Sequence, residues 1–345
     1  MKPIRIYMRL QAAVLLTSIL IACSDNEAPA ISFGEMVPVR ISASLEATVQ
    51  SRAVTPTALP INSEIGVFRV ADMNYADAAV NVKYTLQKGG WNAENPVFVA
   101  GADAQLYACY PYGKAVLMEN DSTQAILQNA PCTQETDWCY APVSNQKVNN
   151  LSPEIKFNFV KPYSQLSLVI YRGSRYPMDC KVTKVKIALS NGGAINDTQS
   201  INLTDGTMGS VTKTQTSYTY PTSGEIHDTG MKVGEEHCDS TCNYLFIPQQ
   251  LPDDAELELT FTVDGSDYSV PIPHAELPAL ERGTRHLVKI EIRDGVEIAV
   301  QQVTIAAWQN LEALPISVHT LPNEAGIEGG STEDWNENNE PDNYV

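Results

Sequence analysis

The chain has 345 residues, 43% of them hydrophobic, and a formal net charge of −18 from 23 basic and 41 acidic side chains. At roughly 100–200 residues per domain this length predicts two domains, each large enough to bury a core. The acidic balance excludes a nucleic-acid-binding protein, because displacing counterions from phosphates takes clustered cations.

The N-terminus reads as an export signal. Lys2, Arg5 and Arg9 precede a mostly apolar run from Leu10 to Ala22. That run is shorter than the about 20 residues a membrane-spanning helix needs, but it has the length of a secretory signal core. It ends Leu20-Ile21-Ala22-Cys23, and small residues before a single cysteine resemble the lipobox of bacterial lipoproteins. Residues 1–22 are therefore expected to be a signal peptide. Cys23 is expected to carry the lipid (palmitate-type acyl chains) that tethers the precursor to the outer membrane.

Residues 37–49 alternate more strictly than any other stretch. Val37, Val39, Ile41, Ala43, Leu45, Ala47 and Val49 are apolar, and the residues between them are proline or polar. Period two puts the apolar set on one face of an extended strand. Gln50-Ser51-Arg52-Ala53 follows, then a connector containing Thr55, Pro56, Thr57 and Pro60. Exposed connectors of this kind are where proteolysis concentrates. A cut between Arg52 and Ala53 would release the lipid tether together with one buried strand. It would leave an apolar groove with unpaired backbone groups, costly to leave open and suited to filling by a neighbour's strand.

Short β-rich runs separated by Gly, Pro, Asn and Asp occupy the rest. They include 65–70, 106–110, 166–171, 182–189, 257–263 and 287–292. Their lengths and their β-branched and aromatic content predict an all-β protein, and turn-rich spacing predicts sandwiches. A boundary is expected near Leu151-Ser152-Pro153. This gives an N-terminal sandwich over 53–152, completed before cleavage by 36–49, and a C-terminal sandwich over 153–320. Residues 321–345 contain seven acidic residues and no Lys or Arg, the composition of a disordered tail.

Besides Cys23, Cys109, Cys132, Cys139, Cys180, Cys238 and Cys242 remain. An even number in an oxidising compartment allows three disulfides in fifteen pairings, with Cys132/Cys139 and Cys238/Cys242 the local pairs. His237, Cys238 and Cys242 lack a second ligand pair at zinc-site spacing, so no metal and no cofactor is expected. No nucleophile elbow, H-E-x-x-H, phosphate loop or dinucleotide fingerprint is present, which points away from an enzyme. Trp91, Trp138, Tyr140, Tyr218 and Tyr220 offer aromatic surface for a sugar platform. The alternative function is accordingly a monomeric, glycan-binding surface lipoprotein. Asp121-Ser122-Thr123 and Asp239-Ser240-Thr241 resemble a short O-glycosylation acceptor.

The ordered set of motifs resembles the fimbrillin-like (type V pilin) family of surface lipoproteins over most of the mature chain. It comprises the lipobox, the strand ending Ser51-Arg52-Ala53, Glu64-Ile65-Gly66-Val67-Phe68, and Leu106 to Tyr110 closing in Pro111-Tyr112. It continues with Ile155-Lys156-Phe157 leading into Gln165-Leu166-Ser167-Leu168, then Gly283-Thr284-Arg285-His286 and Val303-Thr304-Ile305-Ala306-Ala307-Trp308. The resemblance implies two transthyretin-like β-sandwich domains in tandem and maturation by an arginine-specific protease. It also implies partnership with other fimbrial subunits by strand exchange, in the service of adhesion. The candidate donor is the C-terminal stretch 296–318, with Val303, Ile305, Leu314 and Ile316 as its apolar positions. The acidic tail beyond it departs from a chain that ends at its donor strand.

Overall fold

The computed structural model describes residues 35–45, 57–133, 135–172, 180–225, 241–293 and 298–308. Among these are 25 strands and no helix, so the protein is all-β. The runs picked out by periodicity are strands Glu64–Arg69, Leu106–Tyr110, Ser164–Arg172, Lys181–Leu189, Leu257–Val263 and Thr284–Ile292.

Two sheets form the C-terminal core. One runs in the order Ala130–Pro131, Thr241–Phe246, Ser164–Arg172, Thr284–Ile292, Ile298–Ala307, and the other Ser217–Glu225, Lys181–Leu189, Leu257–Val263, Ser266–Ile272. Their inward side chains share one apolar cluster that includes Leu166, Leu168, Ile170, Val185, Ile187, Leu259, Phe261, Val288 and Ile290. Leu257–Val263 alternates buried and half-buried at every residue, as a strand with one face on a core must. Ser164–Arg172 is buried along almost its whole length. It pairs in parallel with Thr284–Ile292 on one side and antiparallel with Thr241–Phe246 on the other.

The N-terminal sheet runs Cys139–Ala141, Leu106–Tyr110, Glu64–Arg69, Ala79–Gln87, Gly90–Asn92. A four-stranded sheet, Met208–Gln215, Ile195–Asn202, Asp121–Gln128, Val116–Met118, combines strands from either side of residue 152. Phe68, Tyr107 and Tyr140 of the former share a cluster with Ala125, Leu127 and Ile201 of the latter. Glu154–Phe159, expected to open the second sandwich, pairs instead with Arg40–Leu45. Its buried residues Ile155, Phe157 and Phe159 need a covered face, and the N-terminal strands supply it.

Cys132 and Cys139 do not form the expected local disulfide; Cys109, Cys180 and Cys242 are thiols as well. Cys139 is buried on the strand opposite Tyr110, and burial pushes its thiol up to about 12. Burial also pushes Cys132 up to about 12, reinforced by the nearby Asp137 carboxylate. Protonated thiols in such surroundings are poor nucleophiles. Cys238, the expected partner of Cys242, lies outside the described residues, as does His237.

Candidate functional site: a docked N-terminal strand

Strand Arg40–Leu45 is the middle member of a three-stranded sheet. It pairs in parallel with Glu154–Phe159 in unbroken register, Arg40 opposite Glu154 and Leu45 opposite Phe159. At its far end Ser44 and Leu45 face Ala58 and Thr57 in antiparallel register. Upstream, Val37 and Pro38 pair with Val99 and Phe98. The Val39 N–H donates to the Val97 carbonyl at 2.9 Å, and the Arg40 N–H to the Pro153 carbonyl at 2.8 Å. Asn150 adds a side-chain donor to the Glu35 carbonyl at 2.9 Å.

The alternation read from the sequence is visible in the burial. Val39 and Leu45 are 5% and 7% exposed. Val37, Ile41 and Ala43 are half-buried, and Pro38, Arg40 and Ser42 are exposed. On the neighbouring strand, Ile155, Phe157 and Phe159, opposite Ile41, Ala43 and Leu45, are nearly fully buried, and the Phe157 and Phe159 rings lie 6.3 Å apart. Tyr110 closes on Phe159 at 6.0 Å. The outward contacts are weak. Arg40 and Glu154 approach to 3.5 Å with both side chains about three-quarters exposed, an arrangement worth little in water. Ser44 Oγ donates to Asn158 Oδ1 at 3.2 Å. An open groove of about 590 Å³ beside the strand is lined by Arg40, Ser42, Lys147, Glu154 and Lys156, among others. Backbone pairing and the apolar face therefore hold the strand, while its outer surface contributes little.

Cys23, Ala47, Val49, Arg52, Ala53, Leu314 and Ile316 lie outside the described residues. Val303 and Ile305 sit on Ile298–Ala307, the edge strand of the five-stranded C-terminal sheet, opposite Val288 and His286. Val303 packs against the C-terminal core, whereas Ile305 is 49% exposed.

A feature the sequence did not announce lies where that strand ends. Lys161, two residues beyond Phe159, is buried and bridges to Asp137 Oδ1 at 2.5 Å. Its ammonium also sits 4.5 Å from the ring centre of Trp308. Burial raises the Asp137 carboxyl, with Lys161 opposing the shift. A lone lysine and a lone aspartate in turn-rich segments carry no periodic signal, so only the fold reveals the pair.

The aromatic surface proposed for sugar binding is largely absent. Trp138, Tyr140, Tyr218 and Tyr220 are between 1% and 8% exposed. They pack ring against ring in the cores, Tyr218 on Tyr220 at 6.1 Å and Trp138 near Tyr140 at 6.4 Å.

The family model for fimbrillin-like proteins matches residues 51–308. Among curated proteins none matches the sequence. Among solved structures, a candidate cell adhesion protein from Bacteroides uniformis is similar at 18% identity with a TM-score of 0.56, covering 79% of this chain and 99% of its own. Another from Bacteroides ovatus is similar at 17% identity with a TM-score of 0.54, covering 79% of this chain and 98% of its own. At such identities the likeness is one of fold.

Proposed function

The chain belongs to the fimbrillin-like family, and from that premise we infer that it is a structural subunit of a cell-surface fimbria that serves adhesion, not an enzyme. The precursor is exported as a lipoprotein anchored through Cys23. An arginine-specific protease cuts between Arg52 and Ala53 and frees residues 37–49. The vacated groove then takes a strand from another subunit, and the tandem of transthyretin-like sandwiches becomes one link of the polymer.

The observation that carries this reading is the docking of Arg40–Leu45. It is held between Glu154–Phe159 and Thr57–Ala58 and is followed seven residues later by Arg52. Losing it would strip the Glu154–Phe159 ladder of its partner and uncover Ile155, Phe157 and Phe159. Unpaired backbone and exposed aromatic surface both favour a replacement strand.

The sequence offers a replacement in the same chain. Leu314-Pro315-Ile316-Ser317-Val318-His319 follows Val37-Pro38-Val39-Arg40-Ile41-Ser42 position by position, apolar on apolar, polar on polar and proline on proline. Proline is the informative match. It brings no N–H to a ladder, and the groove already accepts one at Pro38, opposite Phe98. The match ends at Thr320, which would fall on the Ala43 position, and Pro322 would fall on that of Leu45. Ile316 in the Val39 slot would add one methylene to a site that is 5% exposed at present.

Two variants test the scheme in fibre-forming cells. Arg52→Ala should leave an uncut, lipidated monomer, and wild-type fibres on such cells would refute cleavage at this site. Ile316→Asp should mature normally but fail to extend fibres. Normal extension would place the donor outside Leu314–Val318.

A further inference from the structure

Strand exchange also fixes where the body of the donor copy must lie. On that copy Trp308 is the last residue held by the body. It is buried, its N–H donates to the Gly283 carbonyl at 2.9 Å, and the Lys161 ammonium packs over its ring. Residues 309–313 separate it from Leu314 and lie outside the described residues, so chain geometry alone bounds their reach. Six Cα-to-Cα steps span at most about 22 Å. With Leu314 in the Val37 position, the donor's body is therefore confined beside that end of the groove.

Three turns carry exposed apolar side chains at the same end: Met73, Phe98 and Leu151. Each is tied to the stretch 97–102 that flanks Val37 and Val39. Phe98 is opposite Pro38 in the ladder, and Arg69 donates to its carbonyl. Tyr75, two residues after Met73, accepts the Ala100 N–H at 3.0 Å and donates to the Ala102 carbonyl at 2.7 Å. The Asn150 N–H donates to the Ala100 carbonyl at 2.8 Å. The Asn149 side chain accepts the N–H groups of Leu151 and Ser152 at 3.0 and 3.1 Å. One exposed apolar residue is ordinary, but three on turns that converge on one short stretch mark a contact surface. Because hydrogen bonds already fix those turns, ordering them costs little when a partner arrives.

We propose that Met73, Phe98 and Leu151 form a seat for the body of the donor copy, a contact that rests on the strand-exchange reading. Covalent continuity selects the occupant: the chain that supplies Leu314–His319 brings its own Trp308 within the same reach. Ile305 is the exposed large apolar side chain nearest Trp308 in the sequence, and it is the donor's side of the contact. The two copies use different surfaces, so the contact repeats head to tail along a filament and does not close as a dimer. A short linker gives a high effective concentration, so a few apolar contacts suffice.

The test separates the groove from the seat. Precursor cut after Arg52 is the acceptor, and a synthetic peptide of residues 309–320 is a donor strand without a body. Peptide uptake by fluorescence anisotropy reports the groove alone; fibre extension by electron microscopy reports groove and seat together. Met73→Asp with Leu151→Asp alters two side chains that solvent already surrounds, so the urea midpoint of the precursor should not move. That double variant should take up peptide as wild type does but extend fibres about tenfold more slowly or worse. Ile305→Asp should slow extension in the same way from the donor's side. Wild-type extension by the double variant, with peptide taken up, overturns the seat and leaves the donor assignment standing. Equal loss of uptake and extension overturns it too, since the two residues would then act on the groove itself. Peptide that fails to bind wild-type acceptor refutes the donor assignment, and the seat with it.

Discussion

Truncating the docked strand one side chain at a time should reveal how it is held. Leu45 is 7% exposed and faces Phe159 across the ladder, whereas Ile41 is only half-buried. Replacing a fully buried leucine by alanine costs about 2–5 kcal/mol, depending on how far the site collapses. Leu45 lies at the end of its strand, where neighbours can close in, so about 2–3 kcal/mol is expected for Leu45→Ala. Ile41→Ala removes a side chain that water already reaches on one side, and about 1–1.5 kcal/mol is expected from the reduced transfer area. Ile41→Asp should also be milder than a carboxylate placed at position 45, since a half-exposed carboxylate keeps much of its hydration. Urea denaturation of the precursor would measure the series, with the midpoint shifting at constant slope. Protein beginning at Ala53 lacks both residues and supplies the baseline without the strand. A larger cost at Ile41 than at Leu45, or costs below about 0.5 kcal/mol at both, would refute the burial argument.

His286 gives a pH signature. It is fully buried, its Nδ1 has no partner among the described residues, and its Nε2 accepts the Glu281 N–H at 3.3 Å. Burial lowers its pKa to about 4 from 6.5, so the unfolded chain takes up a proton first as pH falls. The stability it contributes is complete above pH 6.5 and is lost as pH drops towards 4, in all about 3 kcal/mol. The difference in unfolding free energy between wild type and His286→Gln, followed from pH 7.5 to 4.5, should show that slope; a constant difference would refute it. At the buried ion pair, Lys161→Met or Asp137→Leu alone should cost about 3–5 kcal/mol by stranding the other charge, while the double variant recovers most of the loss. A double-mutant cycle by urea denaturation checks this, and simple additivity would refute the coupling.

Legibility in the sequence followed the physics of each strand. Leu257–Val263 and Thr284–Ile292 were readable because they bury one face with apolar residues at every second position. Ile195–Asn202 was not, although it buries four residues in the same alternation. Two of them are Asp197 and Gln199, which a hydrophobicity pattern counts as solvent-facing. The fold tolerates them because Tyr218 donates to Asp197 at 2.8 Å, Gln215 donates to it at 3.1 Å, and Lys213 neutralises it. Gln199 donates to the Gly209 carbonyl at 2.6 Å. Each of those partners is ten or more residues away in the chain, so no short local window contains the reason for burial.

The same distinction decides what could be read of the candidate site. The face of residues 37–45 was legible because alternation is local. Its partner was not, because the pairing of Arg40 with Glu154 spans more than a hundred residues and is parallel. Parallel neighbours leave no hairpin turn to betray them. That topology also bears on how the strand leaves. A strand tied to its partner by a tight turn would stay near its slot after a cut. Arg40–Leu45 is joined to Glu154–Phe159 only through the long chain that the proposed cut at Arg52 interrupts. Once cleaved, it is retained by its ladder and apolar face alone, and any segment that matches both can displace it. The agreement of Leu314–His319 with Val37–Ser42, proline included, is therefore the feature on which the proposed exchange between copies most directly rests.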